Sequence, residues 1–265
     1  MATAFQLAGV GAAILALMMF VIWLVSVRFQ NAGIVDVGWS LGLVILSIWY
    51  AWQGSGFAPR RWIMVGMVTF WGLRLALHLV RRIASEPEDG RYQQLRRDWA
   101  GKNINLRFLF FFEFQALLDV FLSLPMLLAA LNPAPELSLL EYAGVALWLV
   151  AVIGESVADA QLAAFKRNPA NRGRVCQVGL WRYSRHPNYF FEWFIWVAWM
   201  VYGLASPWGW SSAICPALML FLLFRVTGIP ATEAQALRSR RDEYTRYRQT
   251  TSAFFPWFPK SQPSN

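Results

Sequence analysis

The chain has 265 residues, of which 57% are hydrophobic and only 15% charged, a balance that excludes an ordinary water-soluble domain and indicates a membrane protein. Its 15 Trp, 8 Tyr and 20 Phe suit helix ends at the bilayer interface. The net charge of +9 does not indicate nucleic acid as a partner, because the basic residues lie between hydrophobic runs and first determine topology.

Seven successive apolar stretches are long enough to cross a bilayer, which takes about 20 apolar residues. They lie near residues 6–27, 33–53, 62–80, 107–131, 138–158, 187–206 and 210–228. The first is long for a signal-peptide core and no small-residue cleavage site follows it, so we expect it to remain as a span. The pattern predicts an all-α bundle of about seven transmembrane helices, forming a single membrane domain over residues 1–265.

Basic residues concentrate in the segments 81–107, 166–185 and 238–248. Because cytoplasmic loops carry the excess of Lys and Arg, these three segments should share the cytoplasmic side. The loops 132–136 and 206–208 contain no basic residue and should lie opposite, whereas Arg60 and Arg61 are the exception to the pattern. The pattern therefore predicts a multi-pass membrane protein with its amino terminus outside and its carboxyl terminus cytoplasmic.

After Pro230 the sequence predicts a cytoplasmic helix over residues 232–248. Thr232 is placed to cap it and Glu233 lies near the positive end of its dipole. The stretch AFFPWFPK that follows is too short to span a bilayer. We expect this aromatic stretch to pack at the membrane interface.

Several ionisable residues lie within the predicted spans, where a charge costs roughly 2.5 kcal/mol or more at the bilayer centre. Each should therefore face the bundle interior, a partner or a polar cavity. For any one of them a structural ion pair explains the residue as well as catalysis does, but the set predicts a polar cavity. The residues are Asp36, Arg74, Glu113, Asp119, Glu155, Asp159 and Glu192.

The densest polar cluster runs from residue 155 to residue 192. Glu155 and Asp159 are four residues apart and share one face of a helix. Pro187 opens the next helix and leaves backbone amides free, which together with nearby Arg side chains predicts an anion site suited to phosphate. An ordinary cytoplasmic loop would explain the Arg residues but not the Asn, His, Tyr and Glu among them.

The sequence contains no known motif for a nucleotide site, a metal site or a catalytic nucleophile. There is no GxGxxG or P-loop motif, so a nucleotide would be held by a fold of another kind. With only His78 and His186 as histidines, and no HExxH or Cys cluster, a protein metal site is not expected. Cys176 and Cys215 are expected to be free thiols, and Ser184 has no arrangement that would make it a nucleophile.

The motif GLWRYSRHPNYFFEW, with ESVADAQLAAFK before it and RDEYTRYRQTTSAFFPWFP after it, resembles the bacterial membrane family of the DUF1295 type, which is related to steroid 5-alpha-reductases. The likeness includes NAGIVDVGWSLG, RYQQLRRDW and FQALLDVFLSLP, and so runs through nearly the whole chain. The resemblance implies a seven-helix enzyme of a bacterial inner membrane that binds NADPH from the cytoplasmic side. Such an enzyme reduces a carbon–carbon double bond conjugated to a ketone in a steroid or other lipid-like substrate.

The resemblance also assigns roles to residues. Lys166 and Asp159 fall on cofactor positions, Arg174 on a phosphate contact, and Asn188 with Glu192 on the nicotinamide end. The full set of cofactor-binding positions that it implies is Asp159, Lys166, Asn171, Arg172, Arg174, Tyr183, Arg185, His186, Asn188, Tyr189, Glu192, Trp196 and Tyr244.

The chain departs from the reductase pattern at two positions. Phe191 stands where the family motif usually has Gly, which could narrow the pocket or shift the helix. In the steroid enzymes the acid that polarises the carbonyl belongs to a Gln and Glu pair on the second span, and this chain offers Asp36 instead. We therefore predict that Asp36, with Tyr92 or His78, polarises the substrate carbonyl.

Two other interpretations stay open. RHPxY followed by a Tyr-containing tail also resembles isoprenylcysteine and phospholipid methyltransferases, which bind S-adenosylmethionine. The basic stretch NPANRGR and the helix of Asp159 offer more phosphate-binding capacity than that cofactor needs, and so favour a reductase. A noncatalytic lipid-binding or scaffold protein is the third possibility, against which the acids within spans argue. The particular lipid-like substrate and the oligomeric state are not specified by the sequence.

Overall fold

A computed structural model describes residues 2–226 and 228–261 of the protein. Within these residues the fold is all-α and contains no strand, as predicted. The helices are α1 (Ala2–Phe29), α2 (Ile34–Gln53), α3 (Ala58–Ser85), α4 (Gly90–Asp98), α5 (Ile104–Leu122), α6 (Leu124–Leu131), α7 (Leu139–Arg167), α8 (Pro187–Gly203), α9 (Ile214–Arg225), α10 (Ile229–Ser239) and α11 (Arg241–Thr250). Short 3-10 helices lie at Pro169–Asn171, Gly179–Arg182 and Gly209–Ala213.

Five helical runs in the described part of the chain are long and apolar enough to cross a membrane, and six are if α5 and α6 count as one bent span. The protein is therefore a multi-pass membrane protein, although a count of seven is not confirmed. The predicted sixth span corresponds to α8, whose 17 residues rise only about 26 Å, less than the roughly 30 Å of a hydrocarbon core. The five runs are Thr3–Phe29, Ile34–Gln53, Ala58–Ser85, Leu139–Arg167 and Gly209–Ser239.

The span predicted as continuous over residues 107–131 is broken. α5 ends at Leu122, α6 begins at Leu124, and the two are bent by 42°. Pro125 lies in the first turn of α6, where its missing N–H is tolerated but cannot donate back into α5. The hydroxyl of Ser123 donates to the Val120 carbonyl at 2.8 Å, which satisfies one of the carbonyls at the end of α5.

The chain divides into two compact units, which we describe separately: unit 1 comprises Met1–Tyr142 with Val201–Ser212, and unit 2 comprises Ala143–Met200 with Ala213–Asn265. In unit 1, α3 approaches α2 closely at Gly72, where a Cβ would collide with Val44. Gly42 of α2 likewise leaves room for Asp119, a fully buried residue of α5 whose carboxylate fills the space of the missing Cβ.

Arg60 and Arg61, the exceptions to the charge pattern, are both engaged within unit 1. The fully buried Arg60 guanidinium forms an ion pair with Glu141 and donates to the backbone carbonyls of Asn132 at 3.1 Å and Glu136 at 2.5 Å. Arg61 donates to two carbonyls at the end of α2, at 2.5 and 2.7 Å. A buried arginine that ties a loop together is a structural element, so these two residues are not free charges that oppose the predicted topology.

Unit 2 ends in two helices where the sequence predicted one over residues 232–248. α10 ends at Ser239 and α11 begins at Arg241, with Arg240 between them in a non-helical conformation (φ −150°, ψ 49°). Because α10 begins at Ile229, Thr232 is not its cap, and its hydroxyl instead donates to the Gly228 carbonyl at 3.1 Å.

The aromatic stretch after α11 lies partly inside unit 2. Phe254 is buried against Leu223 of α9 and Ile229 of α10. The three other aromatic rings are exposed by more than half of their surface: Phe255 56%, Trp257 71% and Phe258 77%. Phe254 therefore fixes the stretch to the protein, and its predicted packing at the membrane interface stays a prediction for the exposed rings.

Candidate functional site

Two of the predicted cofactor positions meet where α7 ends and α8 begins. The Nδ2 of Asn188, in the first turn of α8, donates to Oδ1 of Asp159 on α7 at 3.3 Å. Glu192 lies one helical turn beyond Asn188 and is half-buried, and Trp196 lies one further turn on and is buried. Since residues four apart share a helix face, Asn188, Glu192 and Trp196 form one stripe along α8. Its polar end contacts Asp159 of α7, and its other end is aromatic.

The segment between α7 and α8 folds back against α7, and hydrogen bonds from this segment to α7 hold it there. Gln161 accepts a hydrogen bond from the Leu180 amide at 2.8 Å, and the Trp181 indole donates to the Ala158 carbonyl at 2.9 Å. Gly179 has φ +57°, and a Cβ there would collide with Gln161, so the position requires glycine. These contacts bring the start of α8 back beside Asp159.

We call residues 166–174 the basic loop. Lys166, Arg172 and Arg174 are all exposed, and none of them forms an ion pair with any residue that the structure describes. The side chain of Asn171 is half-buried and donates to the Phe165 carbonyl at 3.0 Å, which shapes the turn. With the exposed Arg167, the loop presents four positive charges that no ion pair to a described residue compensates. They lie near Asp159 in sequence, a combination suited to phosphate groups.

A second group of predicted cofactor residues contacts the carboxyl-terminal segment. Arg185 is buried, and its guanidinium lies 2.7–2.8 Å from Oε1 of Glu233 on α10. It also donates to the carbonyl of Thr251 at 2.5 Å and to that of Arg248 at 3.3 Å. We call Arg185, Glu233 and these two carbonyls the tail clamp, because they fix α10, α11 and the residues after them to the segment before α8.

His186 and Tyr189 lie beside the tail clamp. The two rings are stacked with centroids 5.5 Å apart, and His186 Nε2 lies 3.5 Å from Oε1 of Glu233. Burial lowers the pKa of His186 below its ordinary value, and the carboxylate of Glu233 opposes that shift only in part. His186 is therefore held largely in its neutral form at neutral pH.

Tyr183 and Tyr244 also contact the tail. The backbone carbonyl of Tyr183 accepts from the Trp257 amide at 2.9 Å. Tyr244 is packed with Val175 and Tyr247, and burial, with the nearby charge of Glu233, raises the pKa of Tyr244 to about 12. The tail clamp and these contacts give the five residues Tyr183, Arg185, His186, Tyr189 and Tyr244 a structural role, and their cofactor contacts stay predictions.

Residues of the tail that the sequence analysis did not single out complete this packing. Tyr247 is fully buried, and its hydroxyl donates to the carbonyls of Trp181 and Ser184. Glu243 accepts from the Val175 amide at 3.0 Å. Their partners lie more than 60 residues away in the chain, so no local motif could have indicated these bonds.

Phe191, the departure from the family pattern, is accommodated by a glycine. Its ring lies directly against Gly154 of α7, where a Cβ would collide with three of the ring atoms. The larger side chain at position 191 is thus matched by the smallest residue on the facing helix. α7 and α8 remain close enough for the bond between Asp159 and Asn188.

In unit 1 the structure brings together Asp36 and Tyr92, the residues predicted to act on the substrate. The Tyr92 hydroxyl, buried on α4, donates to Oδ1 of Asp36 at 2.6 Å, and Arg91 lies 3.1 Å from the other oxygen. Asp89 caps α4 and pairs with Arg91 at 3.1 Å. His78 is exposed on α3, and among the described residues no hydrogen bond joins it to this cluster, so its role stays a prediction.

The electrostatics of this cluster follow from burial and from Arg91. Burial raises the pKa of Tyr92 well above its ordinary value, and the neighbouring Asp36 carboxylate raises it further. Burial alone would raise the pKa of Asp89 as well, but the charge and hydrogen bonds of Arg91 hold it below its usual range. Tyr92 is therefore a neutral hydroxyl held between charged groups. Arg91 and Asp89, which the sequence analysis missed, complete the arrangement.

Among the described residues no group of three or more His, Cys, Asp or Glu side chains could hold a metal ion, and neither Cys176 nor Cys215 forms a disulfide. A family model described as "Protein of unknown function (DUF1295)" matches residues 22–251, a range that includes every candidate site residue from Asp36 to Tyr244. No curated protein and no solved structure matches the chain. The chain therefore belongs to the DUF1295 family.

Proposed function

We propose that the protein is an NADPH-dependent reductase that transfers a hydride to an activated, enone-type carbon–carbon double bond of a steroid or other lipid-like substrate. The observation that carries the proposal is the hydrogen bond between Asn188 and Asp159, which joins the first turn of α8 to α7, the helix that leads into the exposed charges of the basic loop. The proposal also rests on the resemblance of these helices to those of the steroid 5-alpha-reductases.

The residues of unit 2 suit a dinucleotide with several phosphates. The basic loop supplies cations without an internal partner, and Arg side chains bind phosphate through paired donors. Asn188, Asp159 and Glu192 supply amide and carboxylate groups that can hydrogen-bond a carboxamide. S-adenosylmethionine has no phosphate and carries a positive sulfonium, so the charge of the basic loop favours NADPH over the methyl donor.

The cluster of Asp36, Tyr92 and Arg91 suits the other half of the reaction. When bound, NADPH supplies the hydride, and negative charge then develops on the carbonyl oxygen of the enone. Asp36 accepts from both neighbours and so cannot itself donate to that oxygen. In our proposal the Tyr92 hydroxyl turns away from Asp36 and donates a hydrogen bond to the substrate oxygen. Asp36 keeps its hydrogen bond from Arg91.

A binding experiment tests the cofactor. Purified protein in detergent is heated with NADPH, NADH or S-adenosylmethionine, and the melting temperature is compared. We expect the largest increase with NADPH, a smaller one with NADH, and none with the methyl donor. An increase with S-adenosylmethionine alone would overturn the reductase in favour of a methyltransferase.

A turnover experiment tests the substrate side once an enone substrate has been found among steroids and terpenoid ketones. Removing one donor to a developing oxyanion costs about 10²–10³ in kcat, and we expect Tyr92→Phe to show a loss of that order with NADPH affinity unchanged. Asp36→Asn should also reduce kcat, since it weakens the acceptor that positions Tyr92. If Asp36→Asn left turnover intact, Asp36 would have no part in the reaction.

A further inference from the structure

A groove in unit 1 lies where α5 begins, and none of the predicted site residues lines it. It has a volume of about 490 Å³ and is lined by Trp99, Lys102, Asn103, Leu106, Arg107 and Phe110. Its walls are largely apolar, and its two basic side chains are exposed. The segment that contains it, residues 81–107, is the one whose charge predicts a cytoplasmic position.

Neither of the two cations of the groove has an acidic partner among the described residues, in contrast to Arg82 and Arg96. Arg82 is 2.8 Å from Asp89, and Arg96 is 2.8 Å from Glu88. Within residues 2–226 and 228–261, neither Lys102 nor Arg107 forms an ion pair, although the Arg107 guanidinium lies 5.9 Å from the centre of the Trp99 ring. Two unpaired cations of this segment therefore lie together at the groove, where they complement an anion.

An apolar stripe continues from the groove along α5. Leu106 and Phe110 belong to both, and exposed residues recur below them at helical spacing: Phe114 51%, Leu117 49% and Phe121 53% exposed. α5 belongs to the bent pair that is long and apolar enough to span a membrane. A molecule bound in the groove thus meets positive charge at one end and a hydrocarbon-facing stripe at the other.

The wall of the groove is fixed by packing. The Trp99 ring makes an edge contact with the buried Phe108 ring, with centroids 5.0 Å apart, and the Arg96 guanidinium lies over the Phe108 ring, 4.9 Å from its centroid. Trp is also the residue that favours the level of lipid headgroups. We propose that this groove binds an anionic phospholipid, with the headgroup phosphate between Lys102 and Arg107 and an acyl chain along the apolar stripe of α5.

Native mass spectrometry of the full chain in detergent tests the proposal, with phosphatidylglycerol and phosphatidylcholine of identical acyl chains as probes. Basic residues near a membrane surface attract anionic lipid cumulatively, so we expect phosphatidylglycerol to bind at least about tenfold more tightly. Lys102→Gln with Arg107→Gln should reduce that preference to about twofold or less. The control pair Arg81→Gln with Arg97→Gln removes two exposed charges from the same segment and should keep the preference.

Three outcomes would overturn the proposal. Equal loss in the control pair would show diffuse attraction rather than a site, and an unchanged preference in the groove variant would show that the site lies elsewhere. Competition by free glycerol phosphate at a similar concentration would show a site for a soluble anion. Arg107→Gln alone, with an intermediate preference expected, keeps the test informative if the double variant does not fold.

Discussion

Arg185 of the tail clamp and the arginines of the basic loop lie close together in the sequence of unit 2, yet the structure uses them in opposite ways. Arg185 is buried and has a carboxylate and two carbonyls as partners. Arg172 and Arg174 are exposed and form no ion pair with a described residue. One arginine therefore holds the protein together, and the other two remain available for a ligand.

The difference shows what a run of arginines in a membrane protein can mean. All of these residues fit a cytoplasmic, positively charged loop, and by sequence all were candidates for binding a phosphate. Burial separates them, because a buried guanidinium must satisfy its donors within the fold, whereas an exposed one can exchange water for an anion. Stability should therefore depend on one group and cofactor affinity on the other.

The largest effect is expected from the tail clamp. Arg185→Ala removes the main partner of Glu233, whose side chain is 12% exposed, and frees two carbonyls. Breaking a fully buried pair costs about 3–5 kcal/mol, and we expect a loss near the lower end of that range. The matched variant Arg174→Ala removes an exposed charge and should change the free energy of unfolding by about 0.5 kcal/mol or less. Both can be measured by denaturation in detergent.

The comparison would fail if the Arg185→Ala and Arg174→Ala proteins unfolded together. Glu233→Gln gives a second approach to the same pair, because it keeps the shape of the side chain and removes its charge. It should destabilise the protein in the same direction as Arg185→Ala. Combined with Arg185→Ala, it should cost less than the sum of the two single changes, since residues in contact are coupled.

A smaller loss of stability is expected where α7 meets α8. Gly154→Ala places a methyl group against the ring of Phe191, and overpacking of this kind costs about 1–3 kcal/mol. Phe191→Ala in the same protein should relieve the collision and recover part of the loss. If Gly154→Ala were fully stable, the two helices would not be in the contact that the bond between Asp159 and Asn188 requires.

Much of this fold follows from the sequence. The second predicted span, residues 33–53, differs from α2 at one end only, by a single residue, because a long apolar run between polar turns has few alternatives. Asp36 and Tyr92 were also predicted from the sequence as candidates to polarise the substrate carbonyl. Its geometry was not, since their bond joins residues 56 positions apart and depends on how α4 packs.

The unpredicted features are the non-local ones. Pro125 is a visible signal for the break between α5 and α6, but a proline within an apolar run is also compatible with a continuous, kinked span. The link between Arg185 and Glu233 spans 48 positions, and nothing in the local pattern of either residue specifies the other. Motifs therefore identified which residues carry chemistry, and packing decided which of them are used for structure.

The basic loop should affect affinity and leave stability unchanged. Arg174→Gln removes one exposed cation, and the loss of one charge-assisted contact should weaken NADPH binding by about tenfold, or 1.4 kcal/mol. Arg97→Gln on α4 removes an equally exposed charge and should bind NADPH normally. The two dissociation constants, measured at low and at moderate salt, test the assignment, because the contrast should shrink as salt screens the charges.

The smallest expected effect is a pH dependence at the tail clamp. Because burial lowers the pKa of His186 below its ordinary value of 6.5, the unfolded chain binds a proton at this residue more readily than the folded protein does. Stability from this residue is therefore fully present above about pH 6.5 and is lost as the pH falls through that value. The groups that face the ring are Glu233, Arg185 and Tyr189.

A His186→Gln protein, which cannot titrate at this position, should show a flatter dependence of melting temperature on pH between about 7 and 5. The control Arg174→Gln should keep the slope of the unmodified protein. Equal slopes in all three proteins would mean that His186 is not held neutral by its burial, and the tail clamp would then be more open to water than its packing indicates.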